Sequence, residues 1–143
     1  MIRFLTSGPI GPDQIASEIA DLSKRKDAGA HSIFLGQVRD DLSGSQRISA
    51  IEYSAYEAMV IEEAEKIRRV IFSEFRDVLD IVILHAVGVV HAGEISMFVL
   101  VSAGHRDQAT LACRRTVELI KERLPVWKKE ILEDNTEKWQ HSG

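Results

Sequence analysis

The chain has a single cysteine, three prolines and two tryptophans in 143 residues. The lone thiol, Cys113, excludes an internal disulfide and any multi-cysteine metal cluster, and it fits a reducing compartment. The histidines offer no substitute, because His31, His85, His91 and His141 lack the spacing of metal ligands. No metal and no cofactor is expected. There is no glycine-rich phosphate loop, no repeat and no low-complexity tract. No apolar run approaches the ~18 residues that a membrane span requires. The N-terminus lacks the basic-then-apolar pattern of a secretory signal. A large charge of either sign is missing too: the formal net charge is -4, so the whole surface should attract neither nucleic acid nor anionic membrane. Any cationic site must therefore be local. These absences predict a cytoplasmic, soluble protein of one domain spanning residues 1–143.

What is present is ordinary globular material, 45% hydrophobic and 28% charged, in a chain long enough to bury a core unaided. Residues 2–6 read as a short strand stopped by Ser7-Gly8-Pro9. Gly11-Pro12-Asp13 begins a helix whose stripe is Ile15, Ala16, Ile19, Ala20 and Leu22. Residues 30–39 alternate as a strand, residues 40–46 form a polar mobile loop, and residues 48–53 return to strand. Residues 56–75 are helical, with Met59, Ala64, Ile67, Ile71 and Phe75 buried beside Val60 and Val70, and mixed charge outside. Residues 78–90 are nearly continuous β-branched apolar sequence, with His85 expected as a satisfied core residue. His91-Ala92-Gly93-Glu94 is a hairpin turn into a strand over residues 95–102. A last helix, N-capped by Asp107, turns Ala109, Ala112, Cys113, Thr116, Val117, Ile120 and Leu124 inward and leaves Leu111 outside. Residues 130–143 read as a tail. With strand pairs adjacent in sequence, this order favours an α+β sandwich of mostly antiparallel strands and about three helices over a doubly wound sheet.

Residues 101–130 concentrate the chemistry. His105, Arg106, Lys121, Lys128 and Lys129 flank the last helix of an acidic chain. The helix N-terminus beside His105 and Arg106 adds free N–H groups and a positive dipole end. Lys121 lies at the margin of the apolar arc, where its stem can lie along the core and hold its ammonium at a pocket mouth. Taken singly, each has a plainer reading: a solvated His-Arg pair, a surface lysine, a charged tail, with Trp127 a core or dimer anchor. Arg39, at a strand end, reads alone as solvent-facing, and Cys113 as a small buried hydrophobe. The combination suits an anionic ligand.

Several segments together resemble the large, catalytic subunit of molybdopterin synthase. They are Gly36-Gln37-Val38-Arg39, residues 52–59 (EYSAYEAM), His85-Ala86-Val87-Gly88, Gly93-Glu94, residues 102–106 (SAGHR) and residues 121–130 (KERLPVWKKE). They follow the family's order from residue 30 to residue 130. The resemblance implies an α/β-hammerhead-like fold and a sulfurtransferase. Such an enzyme converts cyclic pyranopterin monophosphate (precursor Z) to molybdopterin, in molybdenum cofactor biosynthesis. It implies a small ubiquitin-like partner whose C-terminal glycine thiocarboxylate brings the sulfur, and a homodimer within a heterotetramer. By matching position, it implies catalytic roles for Lys121 and Lys128. Arg39, His105 and Arg106 would take the phosphate, and Gln37, Val38, Lys129 and Glu130 would line the same site. A single thiol, read as a small buried hydrophobe, agrees with sulfur that arrives from outside, and cations suit both a phosphate and a carboxylate-ended tail.

Two positions depart from the family's pattern. Gln37 stands where a lysine is common, which removes one positive charge from the pocket. Gly104 replaces a frequent alanine and is expected to be harmless. A different class of function stays open: a non-catalytic module that docks the tail of a ubiquitin-like sulfur carrier. Retention of both Lys121 and Lys128 weighs against it.

Overall fold

A computed structural model describes residues 4–140. Ile2, Arg3 and His141 lie outside the described residues. Among the described residues eight strands and three α-helices follow one another as β1 (Leu5–Ser7), α1 (Pro12–Asp21), β2 (Ala30–Gln37), β3 (Leu42–Ser43), β4 (Gln46–Ala55), α2 (Glu57–Glu74), β5 (Val78–His91), β6 (Ile95–Ala103), α3 (Arg106–Arg123), β7 (Val126–Leu132) and β8 (Glu137–Gln140). A 3-10 turn, Leu22–Lys24, extends α1. The fold is α+β, and its pairings are antiparallel except for β1 on β5.

The strand order is β2-β6-β5-β4-β7-β8, and β5 is the member that joins its two halves. Its first part, through His85, pairs with β6, and its last part, from Gly88 to His91, pairs with β4. At 14 residues it is long enough to serve both neighbours. Gly88 adopts φ 95 where the second pairing begins, a conformation that only glycine takes without strain. The strand therefore changes partners at the glycine that interrupts its apolar run.

Strand alternation decides the layers. Ile81 and Ile83 of β5, with Val99 and Val101 of β6, face the helices. There they meet Val60, Ala64, Ile67 and Ile71 of α2 and Ala109, Ala112, Cys113 and Ile120 of α3. Leu84, Phe98 and Leu100 point the other way into a smaller cluster with Ile10, under α1. Burying a side chain such as Ile67 contributes about 2–3 kcal/mol, so these stripes hold the helices down.

The predicted stripes shift in detail. Met59 is exposed and Val60 is buried, one residue around the helix. Leu119 joins the α3 core. In α1 no residue is buried, and Ile19 stands 47% exposed, because only Ile15 and Leu22 reach the smaller cluster. The predicted loop at residues 40–46 contains a short hairpin, β3 to β4, turning at Gly44. Within the predicted tail, residues 130–132 and 137–140 are instead strand: β7 lies along β4, and β8 folds back on β7. None of the described helices is long and apolar enough to cross a membrane.

Asp107 is not the cap of α3. The helix begins at Arg106, with His105 at the N-cap position. No side chain caps the helix; just ahead of it Asp77 Oδ2 accepts the His105 N–H at 2.7 Å and lies 3.1 Å from the His105 ring Nδ1. A Cβ on Gly104 would lie 2.5 Å from Asp77 Oδ1, so the glycine is what admits this carboxylate.

Candidate active site

Where the two halves of the sheet diverge, a cavity of about 280 Å³ opens beside the C-terminal end of α3. Each wall follows from the local fold. The end of β2 supplies Phe34 and Gly36, followed by Gln37, Val38 and Arg39. The inward face of β4 supplies Ile48, Ile51 and Tyr53. His85 comes from β5, Met97 from β6, Lys121 from the last turn of α3, Lys128 from β7 and Gln140 from β8. Pro125 ends α3, and β7 starts at the next residue, so the two lysines are delivered from different elements across one tight corner. A second cavity of about 30 Å³ is lined by Ile120, Leu124 and Val126 together with His85, Met97, Lys121 and Lys128. Four residues are thus common to both spaces.

The cations are in different states. Lys121 is exposed at the rim. Lys128 is half-buried opposite Tyr53 on β4, and burial holds its ammonium below the ordinary lysine value, with Lys121 adding repulsion in the same direction. Arg39 is exposed, and its Nε donates to Asp41 at 2.7 Å. Val38 is buried, and its backbone closes the cavity floor by bonding to Glu94 and Gly93 across the β5–β6 turn. Gln37 lines the wall as predicted, without the charge a lysine would bring.

His85 is buried as predicted, yet it also lines the cavity. Its Nδ1 lies 2.8 Å from the Ala86 carbonyl oxygen, which can only accept, so Nδ1 carries the proton and Nε2 the lone pair. The ring meets Tyr53 edge-on, with centroids 5.0 Å apart. Burial lowers its pKa; the Ala86 bond opposes that, and Lys128 adds to the lowering. Burial likewise raises the Tyr53 phenol.

Four predicted site residues fall elsewhere. Lys129 neighbours Lys128 in a strand and so faces the opposite side, where it pairs with Glu52 at 3.7 Å and Glu137 at 3.4 Å and lies over the Trp139 ring. It does not line the cavity. Glu130 shares the inward parity of Lys128 but sits behind the wall: one carboxylate oxygen accepts from Gln140, and the other is buried without a partner. It holds Gln140, which does line the cavity. His105 and Arg106 are at the far end of α3, with Arg106 15 residues from Lys121 and therefore about 22 Å away along the axis at 1.5 Å per residue. Within one chain they cannot share a small ligand with the lysines.

Among the described residues no cluster of His, Cys, Asp or Glu could hold a metal. The cavity combines two lysines, an arginine, a neutral imidazole and apolar walls. This arrangement can bind an anion and stabilise negative charge that develops during acyl chemistry.

Residues 5–123 match the family described as MoaE protein. The chain is 35% identical over 142 residues to the molybdopterin synthase catalytic subunit of Thermoplasma volcanium, covering 94% of each. It is 39% identical over 111 residues to that of Dictyostelium discoideum, covering 77% of this chain and 70% of the relative. Among solved structures it resembles molybdopterin synthase from Staphylococcus aureus, with TM-score 0.82 and 31% identity over 96% of this chain and 95% of that one. It shares the fold of a chain in the complex of subunits 1 and 2 of molybdopterin-converting factor from Helicobacter pylori, with TM-score 0.78 and 21% identity over 96% of this chain and 90% of that one.

Proposed function

Because the chain belongs to the MoaE protein family, we propose that it is the catalytic subunit of a molybdopterin synthase acting in molybdenum cofactor biosynthesis. It transfers sulfur from the C-terminal thiocarboxylate of a small ubiquitin-like subunit to cyclic pyranopterin monophosphate. The observation that carries this reading is the convergence of Lys121 and the desolvated Lys128 on one cavity with Arg39 at its edge. The carboxylate-ended tail meets the lysines, and Lys121 stabilises the oxyanion that forms as the acyl carbon is attacked. Arg39 takes the phosphate, aided by Gln37. The protein works in the cytoplasm, as its single free thiol suits.

His105 and Arg106 fit the phosphate-binding role only when another copy supplies them, since their own α3 carries them away from the lysines. A homodimer flanked by two small subunits meets that requirement. A docking module without turnover would gain nothing from keeping the Lys128 ammonium desolvated beside Lys121, which is costly unless the charge is used.

The test is to supply thiocarboxylated small subunit and cyclic pyranopterin monophosphate and measure dithiolene product. Lys121→Ala is expected to lose about 10²–10³-fold in turnover, as for removal of one oxyanion donor, while still binding the small subunit. A Lys121→Ala protein that forms product at the normal rate overturns the assignment. Complex formation by the wild-type protein without product supports the docking module instead.

A further inference from the structure

The lysines supply positive charge to the cavity, but sulfur transfer also needs a base. When a thiocarboxylate sulfur bonds to the pterin, the small subunit is joined to it through a thioester. Freeing the sulfur requires water to cleave the acyl C–S bond. Resting on the function proposed above, we infer that His85 is the general base for this cleavage, accepting at Nε2 a proton from a water held in the small cavity beside it.

Four observations support the assignment. The Ala86 carbonyl fixes the tautomer that leaves the Nε2 lone pair free. The 30 Å³ cavity exceeds the ~10–15 Å³ that one water occupies, and His85, Lys121 and Lys128 provide the two to four polar partners a water needs. The same three residues line the larger cavity, so this water adjoins the space assigned to the acyl carbon. Finally, the other lining groups are ill suited to the task. Asp41 is committed to Arg39, Tyr53 holds its phenolic proton, and the lysines as ammonium ions can only donate. The ionisable groups facing His85 are Tyr53 from β4, Lys121 from α3 and Lys128 from β7. Strands β1 and β6 pair Leu5 and Met97 with it, neither of them ionisable. With no carboxylate among these, the imidazole stays neutral and ready to accept a proton.

In the step, the water oxygen bonds to the acyl carbon as Nε2 takes one water proton. The tetrahedral intermediate, its oxyanion facing Lys121, collapses with rupture of the C–S bond, and the electron pair stays on sulfur as a pterin thiolate. The small subunit leaves as a carboxylate once its acid proton passes to solvent, and the imidazolium releases its proton likewise.

His85→Asn keeps a donor for the Ala86 carbonyl and removes the base. In a single turnover, mass spectrometry of the small subunit should show the pterin-linked thioester accumulating in this variant, with release slowed about 100-fold. Added imidazole should speed release from His85→Ala. Wild-type release should fall on the acid side of the ordinary histidine pKa, and His85→Asn should lack that limb. Release by His85→Asn at the wild-type rate, or equal slowing of sulfur addition and release with no adduct, overturns the inference. If the variants fail to fold, the wild-type release step carries the test, and absence of an acid limb there is equally fatal. A wild-type protein that forms no pterin adduct at all overturns the proposed function itself, and the role of His85 with it.

Discussion

Lys128 shows how single residues carry the tension between stability and chemistry. Its folded pKa lies below the usual lysine value of 10.5, chiefly through burial. The folded protein therefore holds a desolvated charge at neutral pH that the unfolded chain keeps in water. As pH rises from the folded pKa towards 10.5, the folded state loses its proton first, so this residue's contribution to stability improves with pH. Lys128→Met should accordingly abolish turnover yet stabilise the protein by roughly 1 kcal/mol at pH 7, a rise of about 2–4 °C in Tm. The gain should shrink by pH 10, and a melt series from pH 7 to 10 checks both the sign and the trend. A loss of stability at pH 7 would contradict the assignment of Lys128 as a strained cation. That Lys121 and Lys128 meet at one cavity was legible from the sequence, because family resemblance and residue type both paired them. Lys129 was misread because its face depends on knowing that residues 126–132 form a strand. The alternation of Val126, Lys128, Glu130 and Leu132 was the available signal, masked by the run of adjacent charges.

At the scale of elements, the α3 N-terminus shows why local rules fall short. An aspartate near a helix start is a sound cap signal, and Asp107 supplied one. The fold instead anchors the N-cap residue His105 through Asp77, 28 residues earlier, admitted by the missing side chain at Gly104. Gly104→Ala should therefore cost about 1–2 kcal/mol in urea unfolding, within the usual range for a disrupted cap. In an Asp77→Ala background the same change should cost far less, and simple additivity in this double-mutant cycle would refute the packing explanation. Helices and long strands were readable because each shows a clean 3.6- or 2-residue period against a β-branched core. The segment after Pro125 was not, since β7 is half charged and β8 is four residues long. β7 is a strand because β4 offers it an edge, and β8 because β7 offers the next, which are properties of the assembled sheet.

For the whole molecule, the central fact is the separation of the predicted cations. Sequence resemblance grouped His105 and Arg106 with Lys121, but the distance between them follows from α3 being continuous, which only the fold displays. If the distant pair serves a neighbouring copy, two inactive proteins should repair one another. Mixing Lys121→Ala and Arg106→Ala chains under exchange conditions yields pairs with one site intact in both respects. Activity should recover to as much as half of the wild-type value per mixed pair. No recovery, despite exchange demonstrated by mass, would refute a site shared between copies. The 18-residue helix at issue is fixed to the core by six buried side chains, from Ala109 to Ile120, and so moves as a single body. In such a pair each α3 is a lever with one end in either pocket. Loss of either end of one α3 would then impair a different pocket, so a single helix answers for two sites.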